Sequence, residues 1–167
     1  MGFVSDKIKG EKAEDSVANI LSSYWDIHKA SDVKKGRFYD WDLSAAQLGT
    51  GYEVFTVEVK YDDMQSKTGN IAIEIHNSKA DKPSGLYATK ADLWCHVLQD
   101  SVWITSVGTL KEFCKDTPPF KSFNAAGDGN ASILLYKTED ILEIFERIDE
   151  CNSESLQRKI NSQLQYC

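Results

Sequence analysis

The stretch from Tyr52 to Lys60 reads Tyr-Glu-Val-Phe-Thr-Val-Glu-Val-Lys, a run of β-branched and aromatic residues alternating with period two. Such a run predicts a β-strand. Alternate side chains of a strand share a face, so Val54, Thr56, Glu58 and Lys60 stand together while Phe55, Val57 and Val59 point the other way. A carboxylate and an ammonium therefore end the strand side by side. Taken alone, they read as an exposed ion pair at a sheet edge, worth little to stability. The residues around the pair give it a different meaning.

A chain of 167 residues with 41% hydrophobic content is the size of one domain with a real core, so a single domain over 1–167 is expected. No apolar run follows a basic start and no stretch approaches the length of a membrane span, which predicts a soluble protein of the cytoplasm. Cys95, Cys114, Cys151 and Cys167 are widely scattered, a pattern of free thiols rather than of a zinc knuckle or a disulfide framework. The net charge of −7 looks unfavourable for a partner made of phosphates. Yet residues 139–154 hold seven acids against Arg147 alone, which leaves only −1 for the rest. Nucleic-acid binding stays open.

Upstream of the central strand, a helix is expected from about Lys12 to Trp25, with Val17, Leu21 and Tyr24 on its apolar stripe. Glu14 stands on that same stripe. Either the helix macrodipole stabilises a first-turn carboxylate that remains wet, or the helix delivers it to a site. Lys34, Lys35 and Arg37, with Lys29 just before them, form the densest basic cluster, a solvated loop or a phosphate contact. Phe38 to Leu43 alternates as a second strand with Asp40 and Asp42 on one face, unusual because aspartate is depleted in strands.

Downstream, Ile71, Ile73 and Ile75 alternate as a third strand, which predicts an antiparallel hairpin with the central one and turns Glu74 either onto the face of Glu58 or into an ordinary partner for Lys60 across the hairpin. A loop with Lys82 and Ser84 then leads to a helix that Thr89 caps, with Ala91, Trp94, Cys95 and Leu98 inward and Lys90 in a first turn able to receive an anion. Val102 to Val107 reads as a buried strand. A capping box at Thr109 to Glu112 opens a short helix, and 120–123 and 133–136 form a hairpin around the 127–130 turn. Amphipathic helices follow over 139–150 and 155–165, and the second, with its narrow stripe, docks on the domain or on a second copy in a homodimer.

The order of elements, with Glu14 on the first helix, Asp42-Leu43 on a strand and Glu58-Val59-Lys60 on the next, resembles the PD-(D/E)xK nuclease superfamily with its restriction-endonuclease-like fold. Gly10 to Glu14 is similar to the first-helix motif of the archaeal Holliday-junction resolvases, and the run from Thr68 to Asp92 is similar to small phage-encoded members. No proline precedes Asp42, and Asp40 is a rival for its place. The resemblance implies an α/β (α+β) fold of core order αβββαβ over about 10–107, a mixed sheet of four to five strands flanked by helices, and a C-terminal elaboration over 108–167. It implies a deoxyribonuclease that hydrolyses DNA phosphodiester bonds with a metal-activated water. The alternative is a non-catalytic DNA-binding or assembly protein on the same fold.

Phosphodiester hydrolysis needs an activated water, neutralised phosphorane charge and a stabilised leaving oxygen, all of which Mg²⁺ serves, with Mn²⁺ the expected substitute. Mg²⁺ takes oxygen ligands, usually one or two carboxylates plus waters and phosphate. Asp42 and Glu58 are the candidate ligands, and the resemblance adds the Val59 carbonyl. Lys60 would orient or deprotonate the attacking water, its pKa lowered by the cation, and Glu14 would hold a water or a second ion. Asp40 and Glu74 are secondary candidates. The candidate DNA contacts are Lys34, Lys35, Arg37, Lys82, Ser84 and Lys90. No nucleotide cofactor or membrane is expected. Neutralising Lys34, Lys35 and Arg37 together should weaken DNA binding and flatten its salt dependence with Mg²⁺ affinity unchanged; an unaltered slope of log affinity against log salt would leave a solvated loop.

Overall fold

A computed structural model of the chain describes residues 3–33, 40–124 and 131–167, leaving aside the side chains of 3–6 and 33. The elements run in the order α1 (Phe3–Leu21), β1 (Trp25–Lys29), α2 (Ala30–Val33), β2 (Leu43–Gln47), β3 (Glu53–Tyr61), α3 (Gln65–Thr68), β4 (Asn70–Asn77) and β5 (Lys82–Pro83). There follow β6 (Leu93–Val97), β7 (Val102–Ser106), α4 (Val107–Asp116), β8 (Lys121–Asn124), β9 (Ala131–Lys137), α5 (Thr138–Ile141), β10 (Glu146–Arg147) and α6 (Ser153–Leu164). The expected mixed α+β class holds. The main sheet has six strands in the order β1-β2-β3-β6-β7-β10, and a second sheet has four in the order β5-β4-β9-β8.

Among the described residues only β3 and β6 pair in parallel; every other neighbouring pair is antiparallel. The parallel pair lies at the centre and is buried on both faces. Phe55, Val57, Val59, Leu93 and Cys95 pack on one side with Val17 and Leu21 of α1 and Leu156 and Ile160 of α6. Trp94 packs on the other with Ile71 and Ile73 of β4, Tyr136 of β9 and Leu110 of α4. A strand covered on both faces is apolar throughout instead of alternating. That is why Leu93 to Val97, all buried, mimics a helical stripe, and the helix expected after Thr89 is a strand. The anion site expected at its first turn goes with it.

Three further expectations change. The Ile71-Ile73 strand forms, but β4 belongs to the second sheet and pairs with β9 and β5, so no hairpin joins it to β3. The crossover between parallel β3 and β6 is thus made by α3, a β-excursion and a single 3₁₀ turn, Gly85–Tyr87, where the order αβββαβ places a helix. The first helix spans Phe3 to Leu21 and carries Gly10 inside it, while Trp25 begins β1, an unforeseen strand. Burial of Val17 and Leu21 outweighs the cost of about 1 kcal/mol for a glycine in a helix. The second strand starts at Leu43, so Asp40 and Asp42 precede it.

In the C-terminal part, β8 and β9 pair as expected; the 127–130 turn lies outside the described residues. Ser106, not Thr109, caps α4, its Oγ accepting the Thr109 N–H at 2.9 Å. The 139–150 helix is replaced by α5, a 3₁₀ turn and β10, which pairs with β7 and ends the six-stranded sheet. The last helix forms as α6. All four cysteines are free, and no described helix is long and apolar enough to cross a membrane.

Gly85 sets how closely the crossover approaches β4. Its φ is +50°, and a Cβ there would overlap the Glu74 carbonyl oxygen, whereas Gly69, at φ +68°, has open space around it. Both alanine variants incur left-handed strain, but only Gly85→Ala adds a backbone collision. Gly85→Ala should lower unfolding stability by about 2–4 kcal/mol and Gly69→Ala by about 1 kcal/mol. Equal urea midpoints for the two would show that the close approach imposes nothing.

Candidate active site

The site forms where β2 and β3 part. The ladder runs from Leu43 opposite Val57 toward the hairpin, and on the other side the Asp42 N–H still donates to the Val57 carbonyl at 3.0 Å. At the next position the backbone partner is replaced by a side chain: Asp42 Oδ2 accepts the Val59 N–H at 2.7 Å. The N–H and C=O of one strand residue point to the same edge, so the Val59 carbonyl faces the Asp42 side. Asp42 is held on its other flank by its own carbonyl, which accepts the Ala30 N–H at 2.8 Å.

Glu58 and Lys60 lie on one face of β3, as the alternation requires. Glu58 is 8% exposed; its Oε1 meets Lys60 Nζ at 2.5 Å and its Oε2 accepts from Thr89 Oγ1 at 3.0 Å. Thr89 is therefore a Glu58 partner, and its Oγ1 also receives the Ala91 N–H at 3.2 Å. The Trp94 ring lies under the lysine, 5.8 Å from Nζ to its centroid. Helix α1 packs against β3 and brings in Glu14. An open cleft of about 420 Å³ results, with Glu14, Asp42, Val59 and Lys60 in its wall beside Lys9 and Asp63.

The charges in this cleft strain against one another. Burial and the Glu58 charge push Asp42 up to about 6, against relief from Lys60 and the Val59 N–H. Burial and the Asp42 charge likewise raise Glu14 to about 7, although Lys29 Nζ stands 3.8 Å away. For Lys60, burial acts to lower the pKa, but Glu58, Asp42 and Glu74 outweigh it and hold the ammonium above its ordinary value. Without a cation the lysine is thus firmly protonated, the reverse of the lowering expected beside a metal. Among the described residues no three Cys, His, Asp or Glu side chains form a ready cation cage. The donor set is two carboxylates and a backbone carbonyl, which suits a hard, hydrated ion such as Mg²⁺ that fills its shell with water and substrate oxygens.

The other candidates divide. Asp40 lies outside the cleft, ion-paired with Lys90 at 3.3 Å, and its carbonyl accepts the Lys90 N–H at 2.9 Å. Lys90 is thus engaged with Asp40. Glu74 reaches the neighbourhood of Lys60 from the second sheet, in an adjoining concavity of about 210 Å³. Lys82 is exposed on β5 and Ser84 follows it, neither in the cleft wall. Lys34, Lys35 and Arg37 lie outside the described residues. Lys29, grouped with them by sequence, instead bridges Asp15 at 2.7 Å and Glu14. Lys9, Tyr61 and Asp63 were missed. Lys9 pairs with Asp63 across the cleft, a contact that needed the helix to begin before Gly10.

No protein-family model matches the chain, and no curated protein matches it. One solved structure has a similar fold. It is a bacterial homing endonuclease, I-Ssp6803I, at a TM-score of 0.51 and 17% sequence identity, over 96% of this chain and 94% of that one. The likeness to the endonuclease runs nearly the length of both chains.

The raised carboxylates make a prediction for the metal-free protein. A carboxyl whose folded pKa lies above its unfolded one binds more protons when folded, so stability falls as pH rises between the two values. For Asp42 that window runs from 3.8 to about 6, and for Glu14 from 4.5 to about 7. Unfolding free energy should drop across it by roughly 2 kcal/mol for Asp42. Asp42→Asn should flatten the pH profile, and a profile that rises through the window in the parent would refute the mutual repulsion.

Proposed function

We propose that this protein is a Mg²⁺-dependent deoxyribonuclease of the PD-(D/E)xK type that hydrolyses DNA phosphodiester bonds. The observation that carries the reading is the meeting, in one open cleft, of Asp42, Val59 and Lys60 of the strand end and Glu14 from α1, with Glu58 buried beside the cleft against Lys60. An endonuclease with the same overall fold supports DNA as the substrate. An ordinary surface ion pair would have no use for a second carboxylate pushed up to about 6 or a third up to about 7 in the same cleft. Such a cluster is costly without a cation and favourable with one.

Asp42, Glu58 and the Val59 carbonyl would hold the ion, and Mg²⁺ in that position supplies Lewis-acid stabilisation of phosphate charge and acidifies water. The protein's own groups do the rest. Neutralising Asp42 and Glu58 removes the two strongest influences that keep the proton on Lys60, so its Nζ can orient the attacking water and take up its proton. Thr89 holds the Glu58 carboxylate in place, and the stacked Trp94 ring restricts where the lysine reaches. Glu14, with its raised pKa, is suited to exchange a proton with water at the other wall of the cleft. Attack breaks the phosphorus–oxygen bond to the leaving group, whose oxygen collects a proton from solvent. Until a cation arrives, the carboxylates repel phosphate, so DNA affinity at the cleft should itself depend on the metal.

Two substitutions separate chemistry from ion binding. Lys60→Ala leaves Asp42 and Glu58 in place, so cleavage of plasmid or oligonucleotide DNA should fall about 10²–10⁴-fold while calorimetric Mg²⁺ binding survives. Glu58→Ala should lose both, with partial recovery at high Mg²⁺. If Lys60→Ala cuts like the parent, the 2.5 Å pair is structural and the protein is a DNA-binding module on a nuclease fold.

A further inference from the structure

A glycine inside a protein is usually required by a positive φ or by a neighbour too close for a side chain. Gly10 meets neither condition. It lies in the middle of the 19-residue helix α1, and its φ is not positive. A Cβ there would have nothing within 4 Å of it, in contrast to Gly85. The fold therefore bears the cost of a glycine in a helix interior without any packing gain at that position.

The place of Gly10 supplies a reason. It stands one turn before Glu14 on the same face of α1, about 6 Å along the helix, and both residues line the cleft of about 420 Å³ that holds Asp42, Val59 and Lys60. A bare stretch of helix surface thus borders the candidate active site. Lys9 lines the same cleft beside it.

Lys9 is paired with Asp63, which follows β3 on the facing wall. The turn after β3 does not depend on that pair, because Asp62 holds it, its Oδ1 accepting the N–H groups of Met64 and Gln65 at 2.9 and 3.0 Å. The Lys9 and Asp63 side chains are 40% and 42% exposed, so their attraction is screened by water and contributes little to stability. Such a pair exchanges readily for another anion. A phosphate on which Lys60 acts is joined to further phosphates, and the strand that carries them has to continue along the cleft.

We propose that the DNA backbone leaving the scissile phosphate lies against α1 at Gly10 and gives its neighbouring phosphate to Lys9, whose place Asp63 holds in the DNA-free protein. The proposal rests on the nuclease reading for the position of the scissile phosphate. It makes Asp63 a built-in competitor for the cleft. A polyanion held at several points displaces such a competitor more easily than a lone anion does, which favours nucleic acid over free phosphate.

Fluorescence anisotropy with labelled duplex and single-stranded DNA of one sequence, in Ca²⁺, tests the proposal on whichever form the parent binds more tightly. Gly10→Ala should raise the melting temperature by about 1–4 °C, as for any helical glycine with open space around it. The same variant should bind DNA about 5-fold or more weakly, because the methyl group stands where the backbone packs. A folding defect cannot produce that combination. Lys9→Gln should weaken binding and lower the slope of log affinity against log salt by about 0.7–0.9. Asp63→Asn should strengthen binding, and most of that gain should be absent when Lys9→Gln is combined with it. The two halves of a merely structural ion pair would change stability together and leave DNA affinity alone.

A Gly10→Ala variant that gains no stability or keeps parental DNA affinity overturns the proposal, as does an unchanged salt slope in Lys9→Gln or an undiminished gain in the double variant. Cleavage by the parent would in those cases still uphold the nuclease reading. A parent that binds DNA but cuts none with Mg²⁺ or Mn²⁺ overturns the nuclease reading, and a stabilised, weakly binding Gly10→Ala would still uphold the contact. A parent that binds no DNA overturns both.

Discussion

A single hydrogen bond organises the centre of this protein: the Asp42 carboxylate takes the Val59 N–H where a neighbouring strand would otherwise have taken it. It does two things at once. It satisfies a backbone donor in a strand whose surroundings are dry, where an orphaned N–H would be costly. It also fixes a carboxylate beside Glu58 and turns the Val59 carbonyl to the same side. Because β2 stops pairing at this point, the gap between the strands is open to α1, and Glu14 enters there.

Such an arrangement is electrostatically unfavourable by itself, and the fold tolerates it because the surroundings are rigid. The parallel β3–β6 pair is clamped at its start by Asp92, whose Oδ2 accepts from both the Thr56 N–H and hydroxyl at 2.8 and 2.9 Å. Near its end, Asp62 donates its N–H to the Val97 carbonyl at 3.0 Å and accepts from Met64, Gln65 and Ala72. Burial of β3 and β6 on both faces then prevents the strand end from moving to relieve the repulsion among its acids. Strain of this kind is typical of a place built to receive something.

The second sheet changes how the site is understood. The crossover seen here carries β4 and β5 away from the main sheet, pairs β4 with the distant β9, and returns. Glu74 thereby comes to Lys60 from a different sheet. Gly85, whose missing side chain admits the Glu74 backbone, is the point at which this return is tightest.

The strand at 53–61 and the shared face of Glu58 and Lys60 were legible in the sequence, because period-two alternation and residue spacing are local properties of the chain. So were the strand at 70–77, the pairing of β8 with β9 and the final helix. Glu14 was legible as an anomaly, an acid on an apolar stripe. Tertiary structure decided what local pattern cannot carry. Leu93 to Val97 is apolar on both faces, so its period is silent and only its parallel partner makes it a strand. Asp40 and Asp42 look equivalent by parity, yet the ladder ends at Leu43, and one backbone bond draws Asp42 inward while Lys90 holds Asp40 outside. The partner of β4 depended on contacts some 65 residues away in the chain, Ile71 with Tyr136, for which spacing offers no signal. Local chemistry chose the residues, and the long-range pairing of strands determined which of them meet.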